Sequence, residues 1–231
     1  MMKREGSAAF VSKRAKYSSC LGEIIPEVDN IISRDFHAKQ PYEKLLTHIT
    51  EFTLPDGKLY LSAMIDCFDG MVIAWTIGPR PNADLVNTML DGVIAKLPDG
   101  CYPAVHSDRG CHYRWPGWIE RMREAEFIRS MSKKGCSSDN AACEGFLGQT
   151  KNEMFYGHSW IGVSPDNFAQ ELDDYINNCK RIKLSFGRLS PMNIDSILDA
   201  PYSLSSFLSV PPTHLFVHVF ILKRWLVFGI A

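Results

Sequence analysis

Two carboxylates in this sequence stand in settings that suit phosphodiester chemistry. Asp108 ends a short, mostly apolar stretch that begins at Tyr102, and Glu144 lies inside an amphipathic helical pattern. Thirty-five residues lie between them. Such a pair, one at a strand end and one on a helix, can share divalent metal ions, and two metals about 3.5–4 Å apart clamp the attacking and leaving oxygens of a phosphodiester displacement. Asp108 and Glu144 are therefore candidate ligands of a divalent metal site.

The helix that carries Glu144 is predicted over residues 139–155, and the run Ser137-Ser138-Asp139-Asn140 opens it. Lys151 could hold a DNA phosphate beside Glu144, although an exposed helix lysine without a ligand fits the pattern equally well. Asn140 could contact DNA too, or serve only as a helix-start residue. Helical spacing puts Asn140, Glu144, Gly148 and Lys151 on one face, and Cys143, Leu147, Thr150 and Met154 on a more apolar one.

Basic residues are the other candidate DNA contacts. The formal net charge is −1, so the whole chain has no positive signature of nucleic-acid binding. Local clusters occur at residues 13–16, at Lys133-Lys134 and at residues 180–183, and Arg109 follows Asp108 directly. Each cluster is interpreted either as solvated surface or as a phosphate contact.

The elements that must position these residues follow from the hydrophobic pattern. Strands are predicted at residues 45–52, 58–68, 71–77, 102–106 and 127–131, and helices at 82–97, 116–125, 139–155 and 164–179. The first three strands form an antiparallel meander, and the later alternation of helix and strand predicts an α/β fold. We divide the chain into an N-terminal arm (1–44), a core (45–180) and a tail (181–231).

Five stretches of the sequence resemble one family. Residues 49–70, 106–118, 130–146, 151–157 and 180–191 are similar to the catalytic core of insertion-sequence transposases of the retroviral-integrase type, the IS-three group. That family uses an Asp, Asp, Glu triad with the same spacing between its last two acids. The resemblance covers roughly residues 15–192 and maps Asp108 and Glu144 to the second and third acids. It implies an RNase H-like fold, a mixed sheet flanked by helices.

The first acid of the triad is missing from this sequence. The resemblance places it in a Thr-Asp-Ile-Thr-Glu-Phe stretch, and residues 47–52 here carry His48 at the aspartate position. Magnesium prefers oxygen ligands in octahedral geometry, so an imidazole is a poor replacement. A mixed nitrogen and oxygen site for zinc, formed by His48, Asp108 and Glu144, is an alternative.

By resemblance, the chain is a magnesium- or manganese-dependent transposase core that acts on element ends and target DNA, with intact transposase as a protein partner. The family carries a helix-turn-helix region upstream that we do not find here, and residues 193–231 depart from the family pattern. With His48, these features predict a truncated, degenerate and inactive copy. The alternatives are a non-catalytic DNA-binding or regulatory remnant, and a product without a role.

Composition sets broader bounds. Hydrophobic residues make up 45% of the chain and charged residues 22%, as in ordinary globular proteins. Seven scattered cysteines, without a C-x-x-C pair, argue against a zinc finger or disulfide framework and favour reduced thiols in the cytoplasm. The N-terminus lacks the apolar region of a signal peptide. The apolar runs of the tail are too short to span a membrane, and we interpret the tail as a frame-shifted or read-through extension.

Overall fold

The fold is built on one five-stranded sheet. A computed structural model of the chain describes residues 28–177, so the predictions for the first part of the arm, for the end of the last helix and for the tail lie outside the described residues. The strands are β1 (Lys44–Leu54), β2 (Gly57–Asp66), β3 (Val72–Gly78), β4 (Ala104–Ser107) and β5 (Ile128–Met131). The helices are α1 (Ala83–Lys96), α2 (Pro116–Glu124), α3 (Ala141–Thr150) and α4 (Pro165–Asn177).

The sheet is mixed, with strand order β3-β2-β1-β4-β5. The first three strands form the predicted antiparallel meander, while β4 pairs parallel with β1 and β5 pairs parallel with β4. The parallel pairing of β1 with β4 is short, running only from Lys44↔Ala104 to Leu46↔His106. A mixed sheet with helices on both faces confirms the predicted RNase H-like α/β class.

Two hydrophobic clusters lie on opposite faces of the sheet, because neighbouring residues of a strand point to opposite sides. On β1, Leu45 packs with α1 and α2, whereas Leu46 and Phe52 pack with α3 and α4. The second cluster holds an aromatic group in which the Phe168 ring lies 5.3 Å from the Phe52 ring and 4.7 Å from the Trp160 ring. Cys143 and Leu147 of α3 belong to the same cluster, so the helix that carries Glu144 packs against this face of the sheet.

The segment predicted as one helix at residues 139–155 has three parts. A 3₁₀ turn at Ser137–Asn140 precedes α3, and a π-helical turn at Lys151–Phe155 follows it. The π turn is closed by Tyr156 N–H, which donates to Lys151 O at 2.7 Å. The apolar face is confirmed, since its four residues Cys143, Leu147, Thr150 and Met154 are all buried. The prediction that Asn140 shares an exposed polar face with Glu144 is wrong, since Asn140 is buried and Glu144 is exposed. The reason is that Asn140 belongs to the 3₁₀ turn, which breaks the helical period before α3 begins.

Residues 28–43 form no regular strand or helix, yet they pack on the core. Ile32 is 3% exposed, and the backbone N–H groups of Ile31 and Ile32 donate to Ser130 Oγ at 3.0 and 3.4 Å. Met131 N–H donates to Asp29 O at 3.1 Å, so the segment runs along β5. No helix among residues 28–177 has both the length and the apolar character required to cross a membrane.

Replacing Phe168 with alanine is expected to destabilise the fold by about 3–5 kcal/mol, because the ring is fully buried and the aromatic group cannot close the cavity. Denaturant-induced unfolding measures the change. Ile161→Ala is the matched control: Ile161 is 83% exposed, and its truncation is expected to shift the unfolding free energy by no more than about 0.5 kcal/mol. Equal losses for both variants would contradict this assignment of the core.

Candidate active site

The site forms where β1 and β4 separate. His48 lies two residues beyond the last paired residue of β1, and Asp108 follows β4. His48 Nδ1 is 3.2 Å from Asp108 Oδ2, with the two side chains 25% and 35% exposed. The distance is that of an ion pair, but the contact does not meet hydrogen-bond geometry, and His48 Nδ1 is a buried atom without a hydrogen-bond partner among the described residues. The histidine at the first-acid position is therefore beside the second acid.

The loop after β4 holds the Asp108 carboxylate in place. Gly110 N–H donates to Asp108 Oδ1 at 2.8 Å. A Cβ at position 110 would meet that oxygen at 2.9 Å, so the close approach requires glycine. Burial alone would raise the pKa of Asp108, but the His48 side chain and the Gly110 N–H outweigh it and hold that pKa below its ordinary value. Asp108 is thus a carboxylate at neutral pH.

His106 lies in a buried hydrogen-bonded chain and is not available to DNA. Its Nδ1 is 2.8 Å from Ser130 Oγ, and its Nε2 is 3.2 Å from Ser132 Oγ. Ser130 Oγ already accepts from two backbone N–H groups, so its own proton goes to Nδ1, and the ring proton sits on Nε2. Ser132 then donates to Ser107 O at 3.4 Å. Burial lowers the pKa of His106, which agrees with a neutral ring that ties β4 to β5.

Glu144 is exposed in the first turn of α3. The residue before it, Cys143, is fully buried under the helix. Burial raises the pKa of the Cys143 thiol, and the charges of Asp108 and Glu144 raise it further. Both predicted acids thus act on the charge of one thiol, while their sharing of a metal ion stays a prediction.

Asp139 and Asn140 fix the start of α3 and are both buried. Asp139 accepts from Arg34 Nε at 2.6 Å, from Asn30 Nδ2 at 2.9 Å and from Lys133 N–H at 3.0 Å. Asn140 Nδ2 donates to Thr47 O at 3.1 Å. The prediction of Asn140 as a DNA contact is not supported by this geometry, because its amide is fully buried and bound to β1.

A pocket of about 250 Å³ opens beside the His48–Asp108 contact. Tyr60, Glu51 and Tyr113 are among its walls, and Glu144 lies outside it. Tyr113 is 1% exposed, and its hydroxyl is 3.5 Å from Thr47 Oγ1. The pocket places aromatic and acidic groups on the side of Asp108 that faces β2.

The basic candidates differ in exposure. Lys133 and Lys134 follow β5 and are exposed. Lys151 Nζ lies 5.4 Å from the centre of the Phe52 ring, and burial lowers its pKa although Glu51 opposes the shift. Arg109 is half-buried in the loop after β4. The carboxyl ends of two neighbouring parallel strands thus bring Asp108 and the lysine pair to one edge of the sheet.

The side chains present do not fit a magnesium pair. His48 presents a nitrogen where the ion requires an oxygen, and its Nδ1 lies 3.2 Å from Asp108 Oδ2. Among residues 28–177, no three His, Cys, Asp or Glu side chains are grouped as ligands of a single metal ion. The zinc alternative formed by His48, Asp108 and Glu144 therefore has no support among the described residues either.

Several residues that shape the site were not singled out from the sequence. Ser130 lies on β5 and Ser132 directly after it, and His106 pairs with Ser130 in the β4–β5 register. Two serines with strand spacing opposite a strand histidine were a usable signal for a buried polar chain. The partner of Asp139, Arg34, is 105 positions away along the chain and had no local signal.

The stability that Asp139 contributes is expected to depend on pH. The Lys133 N–H and the Arg34 side chain lower the pKa of Asp139. A depressed pKa stabilises the fold above the unfolded value of about 3.9, and this contribution is lost as the pH falls through the folded value. Asp139→Asn should therefore unfold more easily than the unaltered chain at pH 7, and the difference should narrow as the pH falls below about 4. Denaturant unfolding across this range, with exposed Asp56→Asn as control, measures it; a constant difference would contradict the ion pair.

The sequence is similar to integrase core domains and to transposases. The integrase core domain family matches residues 38–137 of this chain. A probable transposase for insertion sequence element IS1353 from Shigella flexneri is 48% identical over 194 residues, which are 83% of this chain and 38% of that protein. Transposase InsF for insertion sequence IS3A from Escherichia coli is 31% identical over 160 residues, which are 69% of this chain and 56% of that protein.

An uncharacterized transposase-like protein from Haemophilus influenzae is 38% identical over 183 residues, which are 78% of this chain and 83% of that protein. Among solved structures, the catalytic core domain of HTLV-2 integrase in complex with magnesium has a TM-score of 0.48 and 14% identity, over 64% of this chain and 93% of that one. The chain thus spans less than two fifths of the IS1353 relative but most of the Haemophilus one. By its 38% identity to the Haemophilus protein, over most of that protein's length, and by the matched integrase core domain, the chain belongs to the insertion-sequence transposases.

Proposed function

We propose that this chain is a DNA-binding transposase core whose metal-dependent cleavage and strand transfer are impaired. The observation that carries the proposal is the 3.2 Å contact between His48 Nδ1 and Asp108 Oδ2. In the family reaction, divalent metal ions would activate the nucleophile and stabilise the leaving oxygen of a phosphodiester. In this chain an imidazole stands in place of one acid and against the second.

The impairment has two physical causes. Replacing a carboxylate with an imidazole removes one negative charge and leaves one nitrogen donor in place of two oxygens, and magnesium tolerates neither change well. The His48 side chain also lies 3.2 Å from Asp108 Oδ2, so a cation bound to that oxygen would have to displace it. Asp108 and Glu144 alone would hold a divalent ion weakly.

DNA binding requires less of the site than cleavage does. Lys133 and Lys134 are exposed at the edge of the sheet that carries Asp108, and Lys151 lies beyond Glu144 on the same helical segment. Lysines act as point charges on phosphates, whichever bases are present. We infer that element ends and target DNA are the substrates, with the lysine pair and Lys151 as phosphate contacts and Arg109 beside them.

A non-catalytic regulatory role is the second candidate. His48 is one-quarter exposed and belongs to neither hydrophobic cluster of the sheet, so a histidine at this position leaves the packing of the core intact. Such a protein would bind element ends without cutting them and would pair with an intact transposase. Binding without cleavage, together with inhibition of an active partner, identifies this role.

Restoring the acid tests the catalytic half of the proposal. His48→Asp is expected to raise end cleavage and strand transfer by roughly a hundredfold or more in magnesium or manganese, since bound metal supplies several kcal/mol to such reactions. Both proteins are assayed side by side, and Asp108→Asn in the His48→Asp background is the control that should abolish the gain. Equal activity of the unaltered chain and His48→Asp would overturn the impaired-enzyme proposal.

Removing the lysine pair tests the DNA-binding half. The double variant Lys133→Ala/Lys134→Ala should weaken DNA binding about uniformly across sequences, and each lost phosphate contact should reduce the salt slope by about 1. Fluorescence anisotropy at several salt concentrations measures both quantities. Lys39→Ala, an exposed lysine that precedes β1, serves as control and should leave the slope unchanged. An unchanged slope in the double variant would place the DNA elsewhere.

A further inference from the structure

We propose that Asn140 is a positioning residue: its side-chain amide ties the start of α3 to β1 and so sets the gap between Glu144 and the His48–Asp108 contact. The use of that gap in DNA chemistry rests on the proposed function, but the tie itself does not.

The tie lies where the sheet opens. The pairing of β1 with β4 ends at Leu46↔His106, and Thr47 is the next residue on β1. The carbonyl of Thr47 accepts from Asn140 Nδ2 at 3.1 Å, and both residues are 0% exposed. A side-chain donor from the helix layer thus contacts the β1 backbone at the point where the pairing with β4 stops. The residue immediately after this carbonyl is His48.

The orientation of the amide follows from its surroundings. Asn140 Oδ1 is buried and has no hydrogen-bond partner among the described residues. Exchanging the nitrogen and oxygen would put Oδ1 against the oxygen of Thr47 and would lose the one bond that the amide makes. Asn140 therefore makes the hydrogen bond to β1 while its Oδ1 stays buried without a partner among the described residues. A buried oxygen without a partner destabilises the fold, so the amide at this position is explained by the donor that it supplies.

Asp139 and Asn140 divide the anchoring of this turn between them. Asp139 binds the segment before β1 and the loop after β5, through Arg34, Asn30 and Lys133. Asn140 alone among these anchors reaches β1 itself. Since α3 begins at the next residue, a change in the Asn140 contact moves the first turn of α3, which carries Glu144, relative to His48.

The Cys143 thiol provides a direct readout of this tie. It is fully buried on the inward side of α3, so a thiol reagent can reach it only when the start of the helix lifts from β1 or when the whole chain unfolds. Asn140→Ala and Asn140→Asp are compared in the complete chain, with labelling of Cys143 followed by peptide-resolved mass spectrometry. Aspartate keeps the shape of asparagine but, as a carboxylate, cannot donate to Thr47 O.

Both variants should label Cys143 roughly five- to thirtyfold faster, with little dependence on denaturant, as expected for a local opening. Acceleration by Asn140→Ala but not by Asn140→Asp would mean that the residue only fills space and would overturn the proposal. Leu172→Ala, on α4 in the same cluster, is the control in which labelling should follow global unfolding. Asn140 variants that behave like this control would also overturn it. A His48→Asp protein without cleavage would count against the proposed function and would leave the labelling result standing.

Discussion

The site exists because β1 and β4 stop pairing after Leu46 and His106. Up to that point the two strands form a parallel ladder in the middle of the sheet. Beyond it, β1 continues along β2 to Leu54, while the chain after β4 turns away through Gly110. The opening leaves room for side chains from both strands and exposes backbone groups that need new partners. His48 and Asp108 fill the opening from the strands, and Asn140 fills it from the helix layer.

Buried polar contacts hold the two sides of this opening at a defined spacing. A series of hydrogen bonds fixes β4 against β5, running from Ser130 through His106 and Ser132 to Ser107. The bonds of Asp139 and Asn140 fix the start of α3 against the rest of the sheet. Hydrogen bonds within a low-dielectric interior are strong and directional, so they specify one arrangement more sharply than apolar packing does. The positions of His48, Asp108 and Glu144 are thereby set by buried residues around them.

Fold and chemistry are separable in this protein for a physical reason. The side chains that would bind metal are partly exposed at the edge of the opening, whereas the core depends on residues such as Phe52 and Phe168 on one face and Met89 on the other. An imidazole in place of a carboxylate therefore changes the charge and donor atoms of the site without creating a cavity.

The sequence by itself determined the types of the strands and helices and the placement of Asp108 at a strand end, because these follow from local periodicity and from short-range turns. The family resemblance added the pairing of Asp108 with Glu144 and the absence of an acid at position 48. Only the tertiary structure decided that Asn140 and Asp139 are buried anchors, that the helix of Glu144 begins as a 3₁₀ turn and that His48 lies against Asp108. Each depends on residues far apart in the chain, such as Asn140 with Thr47 or Asp139 with Arg34, and no local pattern encodes such a contact.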